Sequence, residues 1–277
     1  MLKKPAFGAI LILAVAVFFA PGAQSGDGKL LATSGLLGIE GSAGGGITPW
    51  AVLGSYAEAE EFGFSGAFSN TSLRDYRLST SALAFGVGNR VEFSAAQQRF
   101  ALPGNAQLSQ IVFGAKLRVS GDLIFGRAPQ LALTLQHKRH QDITLLNALG
   151  VQQSTGTDVV FSAAKLWLNG ALGRNTLINL NLRRSSAQET GLLGFHDDAK
   201  WLAEGAVAIL PNRFWAIGAE FRQKPNFDGA AESHWRDVFI AWFPKKGVSA
   251  ALAHVNLGTI AGRKSQTGFF ITLQANF

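Results

Sequence analysis

The residues best equipped for chemistry in this chain are few. Five histidines stand at positions 137, 140, 196, 234 and 254, each able to exchange a proton near neutral pH. A serine hydrolase would pair one of them with a serine and a polar orienting group. None is followed by a closely spaced serine, and His254, the one deep in an alternating segment, reads as an inward polar side chain. No enzymatic activity is expected. His196, Asp197 and Asp198, with Glu189 nearby, offer ligands for a divalent cation, but they serve equally as a hydrated outer loop, and no metal is assigned. The glycine-rich stretch 41–46 lacks the Gly-Lys-Ser/Thr of a phosphate loop, and Pro49 interrupts any helix after it. With no cysteine there is neither a disulfide framework nor thiolate chemistry, and no cofactor is expected.

What remains is a set of charged side chains with regular spacing. Lys116, Arg118, Lys138, Lys165, Arg183 and Arg222, against Glu92, Glu204, Glu220 and Asp237, fall on the polar side of alternating segments. If those segments are strands of a closed barrel, these ten residues line its lumen. Their basic excess would favour anions in a water-filled pore. The same residues would also serve as a salt-bridge network filling a narrow lumen, and both readings stay open.

The alternation itself is clearest at 109–119, where Ile111, Phe113, Ala115, Leu117 and Val119 share one face and Gln110, Lys116 and Arg118 the other. It recurs at 90–100 and 176–184. Further segments are 47–56, 62–70, 76–87, 130–138, 158–168, 200–209, 214–222, 234–243, 248–257 and 268–277. The connections between them alternate in length. Those at 139–157, 185–199, 223–233 and 258–267 are long, whereas 169–175, 210–213 and 244–247 are short and carry Pro, Gly or Asn. Bacterial barrels pair short periplasmic turns with long outer loops. Counting back from Phe277 then makes 47–56 a descending strand in need of an ascending partner, for which 30–40 is the candidate. The expectation is an all-β, antiparallel transmembrane β-barrel of about fourteen strands. Twelve follow if the N-terminal segment lies in the lumen.

Composition supports a barrel over a soluble domain or a helical membrane protein. Charged residues amount to 16%, with 32 glycines and 21 phenylalanines, below the roughly one-quarter charge usual in soluble domains. Past the N-terminus no apolar run approaches the ~20 residues of a spanning helix. The N-terminus reads as a secretory signal peptide over 1–25. Lys3 and Lys4 precede an apolar core at 7–20, and Ala23-Gln24-Ser25 supplies the small residues before cleavage after Ser25. A glycine-rich segment, 26–46, follows as first strand or luminal plug, and the barrel occupies 47–277. Loss of two lysines and no acid lowers the formal charge from +7 to +5. The basic residues are scattered rather than gathered on one face with aromatics, so nucleic acid is not expected as a partner. The run His137-Lys138-Arg139-His140 sits at an outer strand end, where it would meet lipopolysaccharide phosphates or simply end the strand.

Trp50, Trp167, Trp201, Trp215, Trp235 and Trp242 fall near strand ends, where interfacial girdles form. The last strand carries Phe269, Ile271, Leu273, Ala275 and Phe277 on one face. A strand of this pattern, ending on an aromatic, is what the outer-membrane barrel-assembly machinery reads. Four segments carry a family resemblance: 39–51 (IEGSAGGGITPWA), 89–100 (NRVEFSAAQQRF), 191–198 (GLLGFHDD) and 235–249 (WRDVFIAWFPKKGVS). Through them the chain resembles, nearly end to end, a family of Gram-negative outer-membrane proteins known by a domain-of-unknown-function label (DUF3034-like). It departs from that pattern at His254 and Asn256, where the family places Tyr and Asp. The resemblance implies an outer-membrane location and a barrel; it brings no substrate. The function expected is a passive channel or small-solute transporter, set in outer-membrane lipid and lipopolysaccharide. The alternative is a structural or surface-interaction barrel without an open pore.

Overall fold

A computed structural model describes residues 29–104, 106–148, 151, 153–227 and 230–277; the expected signal peptide lies outside them. Twelve strands form one closed antiparallel barrel: β1 (Phe62–Leu73), β2 (Arg77–Val87), β3 (Val91–Ala101), β4 (Gln107–Ser120), β5 (Gln130–His140), β6 (Thr155–Trp167), β7 (Asn175–Ala187), β8 (Phe195–Asn212), β9 (Trp215–Arg222), β10 (Trp235–Lys245), β11 (Val248–Asn256) and β12 (Thr267–Asn276). Each strand pairs with the next, and β12 closes on β1 from Gly268 opposite Leu73 to Asn276 opposite Ser65. Phe277 extends the seam by exchanging two backbone bonds with Phe64, at 2.8 and 2.9 Å.

Alternation sets the two faces of the wall. On β7, Leu180 is 62% exposed while Arg183, three positions on, is fully buried, because successive side chains leave a strand on opposite sides. Phe64, Leu83, Phe93, Phe113, Ile217, Val238 and Phe269 continue the outer apolar belt. In water so large an apolar surface would be untenable; hydrocarbon is its natural solvent. Trp167, Trp215 and Trp242 lie at the end of the wall that carries Phe277, the latter two stacked at 6.0 Å, and Trp201 lies toward the other end. The expected girdle holds for these four tryptophans only. Trp235 is buried inside, and Trp50 lies off the wall, against Phe239 at 6.2 Å.

At the Phe277 end the connections are 88–90, 121–129, 168–174, 213–214 and 246–247; at the other end 141–154, 223–234 and 257–266 are long, the first containing the short helix α1 (Ile143–Ala148). The rule that turns are short on the periplasmic side makes the Phe277 end periplasmic. The expected long loop at 185–199 is mostly strand, with a tight connection at 188–194.

Of the two expected counts, twelve holds and fourteen does not, because 30–40 and 47–56 do not join the wall. Residues 29–61 instead fold inside the barrel, with a two-residue ladder, Leu36–Leu37 against Ala43–Gly44, and an isolated Gly44–Pro49 bridge of their own. This luminal segment therefore runs beyond 46, to the start of β1 at Phe62. Its glycines explain the choice. A side chain at Gly45 would strike the Glu220 carboxylate and one at Gly41, whose φ is +73°, would strike Ala96, so the segment lies closer to the wall than residues with a Cβ permit.

Candidate functional site: a plugged lumen

The luminal segment rises from the periplasmic mouth, turns near the middle of the barrel and returns to the same mouth. Leu36, Ala51 and Val52 pack low, with Leu123, Ala132 and Leu166, while Ile39 and Ile47, nearer the bend, pack with Tyr76, Leu78, Phe100 and Trp235 toward the outer end. Lys29 at one end and Glu61 at the other both lie at the periplasmic rim, Lys29 bonding the Ser55 carbonyl at 2.9 Å and Glu61 accepting from the Gly88 amide at 2.8 Å through its carbonyl.

Glu40 sits at the apex of this plug. Its carboxylate is met by three wall cations: Arg222 across both oxygens, Nη1 at 2.7 Å and Nη2 at 3.2 Å; Arg183 Nη2 at 3.2 Å; and the ammonium of Lys138. The same cations share two wall carboxylates. Lys138 and Arg183 reach Asp158 at 2.7 and 2.8 Å, and Arg183 and Arg222 reach Glu204 at 2.6 and 3.3 Å. All six side chains are buried. Removing two or more charges from water is costly unless each meets partners of opposite sign, and here the wall supplies three positive groups but only two negative ones. The plug's Glu40 completes the balance.

Elsewhere the wall holds the plug's main chain with side chains rather than by sheet pairing. Lys116 donates to the carbonyls of Ala43, Trp50 and Val52, the latter two at 2.9 Å. Glu92 accepts from the Gly54 amide at 2.5 Å, and Glu220 from the Ile47 amide at 3.0 Å and the Trp50 indole at 3.1 Å. Gln274 accepts from the Leu37 amide at 2.6 Å and donates to the Gly35 carbonyl at 3.1 Å. Asn179 and Asn181 hold Ala51 and Pro49, and Thr80 and Gln98 hold the Ile39 carbonyl. Buried backbone groups must find partners, and amide and charged side chains on the wall supply them.

Of the ten residues expected to line the lumen, Glu92, Lys116, Lys138, Arg183, Glu204, Glu220, Arg222 and Asp237 point inward and are buried. Asp237 stands opposite Glu220 in the β9–β10 register and accepts the Glu220 amide at 3.2 Å. Arg118 also points inward but lies at the periplasmic rim, paired with Asp122 at 3.3 Å. Asp122 accepts the Ile124 and Phe125 amides, which, with Arg118, hold its carboxyl below the usual carboxylate range against the opposing effect of burial. Lys165 is a correction. It falls on the parity of Phe161 and Trp167, opposite to the inward Asp158, and folds over the end of β5 to donate to the carbonyls of Asp122, Ile124, Phe125 and Gly126.

Other expectations also change. His254 faces outward, edge-on to Phe269 at 5.5 Å, because Ala253 and Val255 take the inward positions. The run His137 to His140 is divided by alternation: His137 and Arg139 face out, Lys138 and His140 face in, and His140 Nε2 lies 3.0 Å from the Leu192 carbonyl. His196 stacks on Phe227 at 3.9 Å beside Gln188. Glu189 turns away from it, toward Lys224 at 3.8 Å, while Lys224 pairs with Glu232 at 2.9 Å under the Trp235 ring.

Little open space remains inside. Gaps between plug and wall of about 40, 20 and 10 Å³ hold a few waters at most. A vestibule of about 700 Å³ opens at the periplasmic mouth, below the plug, between Lys29, Arg174, Arg213 and Lys245, and a smaller one of about 170 Å³ lies between Lys29, Glu58, Arg118 and Asp122.

A closed antiparallel barrel with an apolar belt and a polar, occupied interior defines an outer-membrane β-barrel of porin-like fold. The KdgM porin is similar in structure at a TM-score of 0.52 and 9% identity, over 77% of this chain and 99% of its own. A second KdgM structure, described as a complex with disordered oligogalacturonate, gives the same values. The Acinetobacter baumannii outer membrane protein Omp33 aligns over 79% of this chain and 99% of its own, at a TM-score of 0.45 and 9% identity. No curated protein matches. The chain belongs to the family described as Protein of unknown function (DUF3034), whose profile matches residues 33–274.

Proposed function

We propose that this protein is a gated channel for small solutes in the outer membrane of a Gram-negative bacterium, reached by export and cleavage after Ser25, with residues 29–61 as its resident gate. The observation that carries this reading is the chemistry of the wall behind the plug. A barrel filled once and permanently is served as well or better by apolar packing, since a buried ionic network is rarely more stable than a hydrophobic core of equal volume. Here the inward positions facing the plug carry Lys116, Lys138, Arg183, Arg222, Glu92, Glu204 and Glu220, with Gln98, Asn179, Asn181 and Gln274. Every one of these groups is satisfied by water when the plug leaves. Both ends of the plug lie at one mouth, so it withdraws as a folded-back loop without threading, and the wall's own ladder is continuous without it.

Planar-bilayer recording tests the proposal. The wild-type chain is expected to show a low open probability with discrete openings. A full-length Gly41→Val/Gly45→Leu variant, whose added side chains collide with Ala96 and Glu220, is expected to stay open. A barrel that never opens as wild type, and is also silent in this variant despite heat-modifiable folding on gels, would favour a structural role.

A further inference from the structure

We infer that the lumen contains a carboxylate-recognition site made by Lys138, Arg183 and Arg222, and that Glu40 is a tethered stand-in for the carboxylate of an acidic solute. The inference deepens the gated-channel reading by naming the class of solute that competes with the gate. Arg222 grips the Glu40 carboxylate across both oxygens, at 2.7 and 3.2 Å, while Arg183 and Lys138 take one oxygen each. A guanidinium fork on a planar carboxylate is a specific arrangement and not merely an attraction between charges. The cations belong to β5, β7 and β9 and are oriented by wall groups independent of the plug. Asp158 fixes Lys138 and Arg183, Glu204 fixes Arg183 and Arg222, and the Gln136 side-chain oxygen accepts from Arg183 at 3.0 Å. The site therefore persists when Glu40 departs, with three cations facing two carboxylates and a vacant place for one more. A solute carboxylate fits that vacancy by charge and by shape, and its binding stabilises the undocked gate by mass action.

The test uses full-length protein and two probes of similar size, sodium succinate and neutral erythritol, with binding followed by calorimetry. In the Gly41→Val/Gly45→Leu variant the site is exposed whether or not the wild-type gate ever moves. Succinate is expected to bind this variant and erythritol not to. Adding Arg183→Gln is expected to weaken succinate binding about tenfold or more, whereas adding Lys245→Gln at the periplasmic rim leaves it unchanged. Equal binding with and without Arg183→Gln, or no succinate binding at all, overturns the carboxylate site even if the variant conducts. A wild-type barrel that never conducts, while the variant binds succinate through Arg183, overturns the gate and leaves the site standing.

Discussion

Replacing Glu40 by glutamine is the most informative single change to the gate. The substitution keeps the size of the side chain and one acceptor oxygen for Arg222, but removes the charge that balances Lys138, Arg183 and Arg222. Breaking a buried ion pair by removing one partner costs roughly 3–5 kcal/mol. The substituted amide retains one hydrogen bond, so the lower end applies, about 3 kcal/mol, equivalent to about a hundredfold in the docked-to-undocked ratio. The chain has no cysteine, so Ser42→Cys, at a site only 5% exposed in the plug, provides a unique thiol. Its reaction with a water-soluble maleimide reports the fraction of time the plug is undocked, provided redocking outpaces labelling. Glu40→Gln is expected to accelerate labelling about a hundredfold, and Glu40→Asp by much less. A change below about threefold, with the barrel still heat-modifiable on gels, would refute the claim that this charge balance holds the plug.

Three further predictions concern other parts of the molecule. Lys116→Met removes the shared donor to Ala43, Trp50 and Val52; at about 2–3 kcal/mol for a charged hydrogen-bond donor, chymotryptic cleavage after Trp50 or Tyr56 should quicken by roughly thirtyfold or more. Burial lifts the Glu189 carboxyl to about 8, Lys224 opposing and Glu232 reinforcing the shift. A carboxyl raised in the folded state holds a proton that the unfolded form releases near 4.5, so the 188–194 connection is firmest below that pH and loosens as pH rises toward 8. Amide exchange there should show this trend relative to Glu189→Gln measured at each pH, and parallel profiles would count against it. Leu180→Arg places a charge in the middle of the lipid face of β7 and should cost about 2–4 kcal/mol in denaturant unfolding from lipid vesicles, whereas Leu172→Arg, in the exposed 168–174 turn, should cost little.

The wall was legible in the sequence because a strand's two-residue period writes itself directly into residue order. Lys116, Arg183 and Glu204 could be assigned to the inner face without a structure, since their outward neighbours are Leu117, Leu182 and Ala203. Lys165 was misassigned against its own parity, since its even separation from Phe161 and Trp167 places it on the outer side, and where β6 passes the end of β5 its long side chain serves a turn. Asp158 carried a usable signal in its odd separation from Phe161, which forces the two to opposite sides. Nothing comparable marks the plug. Its conformation is set by side chains 38 to 239 residues distant in sequence, so the segment 29–61 has no period of its own. Pro49 and the glycines at 41 and 44–46 did argue against a regular strand. The acid beside these glycines, Glu40, gave no indication of the three cations it would meet.

The seam between β12 and β1 has a further consequence for how the molecule is put together. Phe277 bonds to Phe64, two residues beyond the point where the luminal segment becomes wall. On the export route proposed above the N-terminus goes first, so the filling is delivered before the container has a last stave. Until the final strand arrives, the gap between β11 and β1 is an open side through which the segment can swing. Once the seam locks, that side opening is gone, and both ends of the segment stand at the periplasmic mouth. Closure and filling thus meet at one place in the molecule and compete for order in time, and a slow last strand gives the segment its widest passage.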